Sequence, residues 1–235
     1  MSKTALVTGA SRGIGLETVR RFILQHDEIT TVVMFARESE DFDAAVAELE
    51  AQLPIGRKVV PVRVDVGDRE ALKKAVKSAH DEVGSIDILV NNAGYTNPVP
   101  LQQVKMADFE KTMSVNLYAP FTIVKTLLNR GNRFELIVNI ASTAGINGRS
   151  GWLTYSASKA AVINMSQVMR EELAIYGTRV VCLSPGRTAT ALRRTLAPEE
   201  DPSTIMQPEH VAQVIYTLSS PVGRFIDSEN IVVRQ

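Results

Sequence analysis

Short apolar runs that do not alternate with polar residues recur along this chain, separated by helix-periodic stretches. The runs are Ala5–Thr8, Thr31–Phe35, Val59–Val64, Ile86–Val90, Leu136–Ile140, Arg179–Leu183 and Asn230–Val233. A strand with one wet face alternates; one built almost wholly of Val, Ile and Leu is covered on both faces, as in a parallel sheet. Between the runs, Leu16, Val19, Phe22 and Ile23 hold a 3.6-residue stripe, as do Phe42, Val46, Leu49 and Leu53, and Leu72, Ala75, Val76, Ala79 and Val83. Asp41 and Asp68 stand where N-caps of the second and third stripes belong. Strand–helix–strand repetition with short loops implies right-handed crossovers. The expected fold is α/β, a doubly wound parallel sheet of about seven strands with helices on both faces. With 235 residues, no long linker and no repeat, the chain reads as one domain over residues 1–235.

The first run opens directly onto Thr8-Gly9-Ala10-Ser11-Arg12-Gly13-Ile14-Gly15 and then a helix. Gly9 allows a tight turn, Gly13 lets backbone approach a pyrophosphate, and Gly15 lets helix and sheet pack closely. Phosphates would meet the positive end of that helix and its unpaired N–H groups.

Charge and cysteine usage exclude several classes. Lys plus Arg and Asp plus Glu both number 26, so there is no basic excess for a nucleic acid. No apolar run approaches the ~20 residues of a membrane span. Cys182 is the only cysteine; it lies in the apolar run Val180–Leu183 and is expected in the core. That usage fits a cytoplasmic protein without disulfides. Met1-Ser2-Lys3 leads straight into the first run, without the pattern of a signal peptide. His26, His80 and His210 are scattered and form no metal-ligand spacing, so no metal is expected.

The strongest chemical signal is Tyr155-Ser156-Ala157-Ser158-Lys159. Tyr155 and Lys159, four apart on a helix, share a face. A phenol near pKa 10 is a poor base at neutral pH, and a nearby ammonium favours the phenolate. Ser142 follows the run Leu136–Ile140, where its hydroxyl can bond a substrate oxygen.

These features together resemble the short-chain dehydrogenase/reductase family, over essentially the whole chain. Its glycine spacing is Gly-x-x-x-Gly-x-Gly, as in Gly9, Gly13 and Gly15. The resemblance implies a Rossmann-type fold and hydride transfer between nicotinamide and a carbonyl or alcohol carbon. It implies a tetrad of Asn116, Ser142, Tyr155 and Lys159, in which the asparagine holds a water relaying protons to the lysine. It also implies cofactor contacts from Gly9, Ser11, Arg12, Gly13, Ile14 and Gly15. Asp65, with Val66, would take the adenine amino group. Asn92, Ala93 and Gly94 would line the adenosine side. Pro185, Gly186, Thr188 and Thr190 would hold the carboxamide, alongside Tyr155 and Lys159. Family members pair through the helices bearing the asparagine and tyrosine, implying a homodimer or homotetramer. Here Tyr118, Phe121, Val124 and Leu128, with Ala160, Ile163 and Met165, offer apolar surface.

The second run leads into Ala36-Arg37. NAD sites usually carry a carboxylate here for the ribose 2′-hydroxyl. An alanine, then an arginine able to fork onto a phosphate, with Arg12 in the glycine turn, favours NADP(H) over NAD(H). Glu38 and Glu40 follow and weigh the other way.

The stretch Ala191–Gln207 is brief and polar for a substrate lid, suggesting an open pocket. Arg149, Trp152, Arg187 and Arg193 are the expected substrate-facing residues, with Tyr95 as a second aromatic candidate and Arg194 near the mouth. Guanidiniums suit a phosphate or carboxylate. The segment from Gly186 through Arg194, with Pro208–Ala212, is similar to reductase modules attached to cytidylyltransferases, which reduce a pentulose phosphate; it suggests a small anionic or phosphorylated ketose. A redox-sensing NADP(H)-binding protein with little turnover is the alternative. An extended-branch epimerase or a divergent enoyl reductase would space these motifs differently.

Overall fold

Valine, isoleucine and leucine on both faces of each run need cover on both sides, and a single all-parallel sheet provides it. In a computed structural model describing residues 2–235, the strands are β1 (Lys3–Thr8), β2 (Ile29–Ala36), β3 (Lys58–Arg63), β4 (Ile88–Asn91), β5 (Leu136–Ile140), β6 (Arg179–Pro185) and β7 (Asn230–Val233). They lie in the order β3-β2-β1-β4-β5-β6-β7, each pair parallel. Met1, the first residue of the start read above, lies outside the described residues. β4 begins two residues later than the run Ile86–Val90 implies. The reason is Asn132, whose side chain accepts from the Ile86 N–H at 2.8 Å and donates to the Ile86 carbonyl at 3.0 Å, holding that backbone outside the ladder.

The helices are α1 (Gly13–Gln25), α2 (Glu40–Glu50), α3 (Arg69–Val83), α4 (Met106–Met113), α5 (Ala119–Leu128), α6 (Thr143–Ile146), α7 (Leu153–Leu173), α8 (Ala191–Leu196) and α9 (Pro208–Ser219). Asp68 caps α3, accepting from the N–H groups of Glu70 and Ala71 at 3.1 and 3.0 Å. Asp41 does not cap α2. Ser39, in extended backbone, accepts from Phe42 N at 3.2 Å and takes that role, leaving Asp41 inside the first turn. There Asp41 pairs with Arg12 at 3.2 Å across the mouth of the cleft described below.

Successive strand residues feed opposite faces. Val7, Met34, Val90 and Val138 pack with Phe22, Ile23, Val211 and Ile215 of α1 and α9. Leu6, Phe35, Leu89 and Ile137 pack with Leu72, Val76, Ile123 and Leu173 of α3, α5 and α7. Each fully buried side chain of this kind contributes about 1.5–3 kcal/mol. Cys182 is fully buried, as expected. Among the described residues no helix is long and apolar enough to cross a membrane.

From β1 the chain winds outward to β3 and then returns to β4 on the other side of β1. Where winding reverses, the loops at the carboxyl ends of β1 and β4 diverge and leave a crevice. The stretch after β6 borders that crevice through Leu192, Arg193, Thr195 and Leu196, and its far end packs back onto the β6 loop. Ile205 and Met206 are 5% and 6% exposed, and Ala189 N donates to the Met206 carbonyl at 2.8 Å.

Candidate active site

The crevice is a cleft of about 700 Å³ running from Arg37 to Tyr155 and Lys159. Every residue assigned by resemblance to the cofactor or substrate lines it except Gly15, and of the tetrad only Asn116 does not. Gly15 lies behind the wall. A Cβ there would stand 2.2 Å from the Gly9 carbonyl oxygen and 2.6 Å from Asn92 Nδ2, so only glycine lets α1 reach the sheet. Gly9 and Gly13 have φ of 67° and 58°, a backbone region that favours glycine.

Thr8 and Asn92 brace this turn. The Thr8 hydroxyl accepts from the N–H groups of Asn92 and Ala93, both at 3.0 Å. Asn92 Nδ2 donates to the Thr8 and Gly9 carbonyls at 2.9 and 3.2 Å. The N-terminus of α1 carries no side-chain cap and no acidic residue in its first turn. Its N–H groups therefore remain available to an anion. Asp65 uses one carboxylate oxygen to accept from Gly67 N at 2.8 Å, closing a turn. Arg37 is exposed, and among the described residues it has no carboxylate partner.

At the inner end, Tyr155 and Lys159 are 6% and 3% exposed. Lys159 Nζ donates to the Ile140 carbonyl at 2.7 Å and lies 5.8 Å from the centre of the Tyr155 ring. Burial lowers its pKa to about 8. The lysine was expected to pull the Tyr155 phenol down. Instead burial raises that phenol, opposed by the Ser142 hydroxyl and the Arg193 guanidinium. Ser142 stands at the end of β5 and also caps α6, accepting from Ala144 N at 3.1 Å. Cys182 faces Lys159, but burial raises its thiol to about 11, so it stays neutral.

Asn116 sits in a single π-helical turn, Ser114–Tyr118, between α4 and α5, which no sequence periodicity announced. Such bulges recur at functional sites. Its side chain is fully engaged. Oδ1 accepts from Tyr95 N at 2.8 Å, and Nδ2 donates to the Tyr95 carbonyl at 3.0 Å and to Ser158 Oγ at 2.9 Å. A water held at this residue would have to use its main chain.

At the substrate end, Trp152 meets Tyr155 edge-on at 6.4 Å and is flanked by Arg149 at 5.6 Å and Arg193 at 5.5 Å. Arg193 already has a carboxylate. Its Nε and Nη2 donate to Glu200 at 2.5 and 2.8 Å, and both side chains are largely buried. Arg187 reaches the same carboxylate at 3.3 Å but is 60% exposed. Arg194 does not line the cleft. Glu200 was not anticipated; the lid holds three carboxylates, Glu199, Glu200 and Asp201, beside Arg193 and Arg194, and no spacing singles one of them out. Tyr95 lines the cleft with Lys111 over its ring at 4.5 Å. Among the described residues no cluster could hold a metal ion.

Comparison with known proteins agrees with this geometry. The short chain dehydrogenase family model matches residues 3–201. A 3-oxoacyl-[acyl-carrier-protein] reductase of Thermotoga maritima is 35% identical over 238 residues, covering 97% of this chain and 94% of the relative. The gluconate 5-dehydrogenase of Gluconobacter oxydans is 34% identical over 201 residues, covering 84% and 75%. Among solved structures, a blue fluorescent protein from a metagenomic library, in complex with NADPH, superposes with a TM-score of 0.86 at 29% identity, covering 99% and 96% of the two chains. A short chain dehydrogenase from Burkholderia cenocepacia in complex with NADP gives 0.86 at 28% identity, covering 99% and 96%. The chain belongs to the short-chain dehydrogenase family of oxidoreductases.

Proposed function

We propose that this protein uses NADP(H) to interconvert a small carbonyl compound and its alcohol, with Tyr155 as the general acid and base. The observation that carries the reading is the buried cluster of Tyr155, Lys159 and Ser142 at the closed end of a cleft whose other end is a phosphate cradle. The cradle fits a dinucleotide on its own geometry. Two glycines with positive φ line it, and the uncapped start of α1 faces it. Ala36 stands where a carboxylate would repel a 2′-phosphate, and Arg37 is free to grip one. The two similar structures bound to NADPH and NADP support the same choice over NAD(H).

When bound, the nicotinamide supplies the hydride for reduction and accepts it in oxidation. Tyr155 gives its proton to the carbonyl oxygen, which the Ser142 hydroxyl also holds. Lys159, fixed by the Ile140 carbonyl, is still mostly ammonium at pH 7, since its pKa is about 8. It stabilises the phenolate that proton transfer leaves behind. Asn116 holds the Tyr95 backbone and Ser158, keeping the floor of the site rigid.

A small anionic or phosphorylated ketose suits the substrate end. A side cavity of about 580 Å³ adjoins the cleft, lined by Arg149, Arg187 and Arg234 and by no acidic side chain. Pairing of two copies through α5 and α7 would cover Tyr118 and Phe121, 41% and 47% exposed.

The test compares the parent chain with Tyr155→Phe, following NADPH oxidation with neutral ketoses and their phosphate esters. The variant should bind NADPH normally and lose about 10²–10⁴ in turnover. Near-parental turnover in the variant would overturn the role of Tyr155. Tight NADPH binding by the parent without turnover on any carbonyl would favour a sensor instead.

A further inference from the structure

We propose that Arg193, clamped by Glu200 and laid against Trp152, is a positioning residue that favours the ionised form of Tyr155. The proposal rests on the reading of Tyr155 as the acid and base, and it adds a residue outside the expected tetrad.

The geometry is a chain of fixed contacts. Thr190 caps α8, its hydroxyl accepting from Arg193 N at 3.1 Å, which sets where the arginine leaves the lid. Glu200 then grips the guanidinium through two parallel bonds of 2.5 and 2.8 Å. Such a fork fixes orientation as well as charge. The centre of the Trp152 ring lies 5.5 Å from the guanidinium carbon, and the same indole meets the Tyr155 ring edge-on. Both Arg193 and Glu200 side chains are more than four-fifths buried, so solvent screens them weakly.

The guanidinium lines the cleft together with Tyr155. Arg187 and Arg193 share the single Glu200 carboxylate, so the group keeps a net positive charge, fixed against the Trp152 ring that meets Tyr155, and a cation held there favours the phenolate. The other groups around Tyr155 do not replace it. Lys159, on the same helix, lies over the ring and donates a hydrogen bond to the Ile140 carbonyl. Ser142, from the end of β5, is uncharged. Arg149 lies over the Trp152 ring at 5.6 Å with no carboxylate partner among the described residues to fix it, and the Cys182 thiol is neutral. Tyr95 and Lys111 pair with each other across the cleft. An arginine cannot lose its charge at any working pH, so its support persists where Lys159 begins to deprotonate.

The experiment reads the phenol directly. The full chain is produced with 3-fluorotyrosine, which brings buried phenols into a measurable range, and fluorine NMR follows each tyrosine against pH. Tyr155→Phe identifies the Tyr155 signal. In Arg193→Met the Tyr155 midpoint should rise by roughly half to one pH unit, and Arg193→Lys should recover part of that rise. Were Arg193 only a plug against solvent, its loss would admit water and the midpoint would fall. A fall, or no change, in an Arg193→Met protein whose other four tyrosines titrate as in the parent overturns the proposal. If Arg193→Met fails to fold, Arg193→Gln and Arg193→Lys give the same comparison. Failure of the underlying reading is separate: it appears as turnover retained in Tyr155→Phe, whatever the NMR midpoints do.

Discussion

The two ends of the cleft are built from different materials. At the adenosine end the work is done by backbone: positive-φ glycines, the uncapped start of α1, and a threonine hydroxyl and an asparagine amide that hold main-chain groups. At the substrate end it is done by long charged side chains that pair within the loops that carry them, Arg187 and Arg193 on Glu200 and Arg149 on Trp152. Backbone shape tolerates almost no change, whereas paired side chains can be exchanged and the fold kept. The first end should therefore fail abruptly under substitution and the second by degrees.

The sharpest way to break that contrast is Gly15→Ala. The new Cβ would press on the Gly9 carbonyl and Asn92 Nδ2 at 2.2 and 2.6 Å, and neither can retreat without opening the turn. NADPH affinity should fall at least about 100-fold, roughly 3 kcal/mol, read by nicotinamide fluorescence. Gly56→Ala is the control. Its φ is 81° but nothing lies within 4 Å of the added Cβ, so it should cost about 1–2 kcal/mol in a thermal melt and leave binding unchanged. Parental affinity in Gly15→Ala would mean the close packing of α1 is not what shapes the cradle.

How legible each end was in the sequence follows the same division. Glycine positions, the Ala36-Arg37 step and the Tyr155–Lys159 spacing are local, so a chain reading finds them. The parallel sheet was legible because its strands are apolar on both faces. Ser39 displaced Asp41 as the cap because both lie within reach of the same N–H groups, and only backbone dihedrals decide between them. The π-turn at Asn116 changes helical register without a proline or glycine to mark it. The Arg193–Glu200 fork joins residues across a lid whose path depends on the β6 loop packing onto Met206. By sequence alone, Arg187 and Arg193 face a substrate anion; in the fold both are already engaged by Glu200.

Lys159→Met probes the inner end, where the two materials meet. Burial holds the ammonium near pKa 8, below its ordinary 10.5. The unfolded chain therefore binds that proton more tightly than the folded one between those values. The burial cost is present in full below pH 8 and is relieved as pH rises from 8 to 10.5. Removing the amine should stabilise the protein at pH 7 by about 1–3 kcal/mol, after allowing for the lost bond to Ile140. The advantage over the parent should shrink by pH 10, and turnover should collapse at every pH. A site that is costly to fold and needed for chemistry is the expected trade. A destabilised Lys159→Met at pH 7 would mean the bond to Ile140 outweighs desolvation.

The smallest effects should come from Arg37→Ala and Arg12→Ala, which test whether any charged side chain matters at the backbone-built end. Arg37 has no carboxylate partner among the described residues, so its removal leaves nothing buried and unpaired, and the fold should not notice. Its loss should weaken NADPH binding about tenfold, near 1.4 kcal/mol, and leave NADH binding unchanged, because only the 2′-phosphate engages the fork. Arg12→Ala should do less, since Arg12 shares its charge with Asp41 at 3.2 Å and both are more than half exposed. Parallel titrations of both variants with both nucleotides decide the matter. If Arg37→Ala weakened NADPH and NADH equally, the guanidinium would be acting on the pyrophosphate rather than the ribose, and selection between the two cofactors would rest on Ala36 alone.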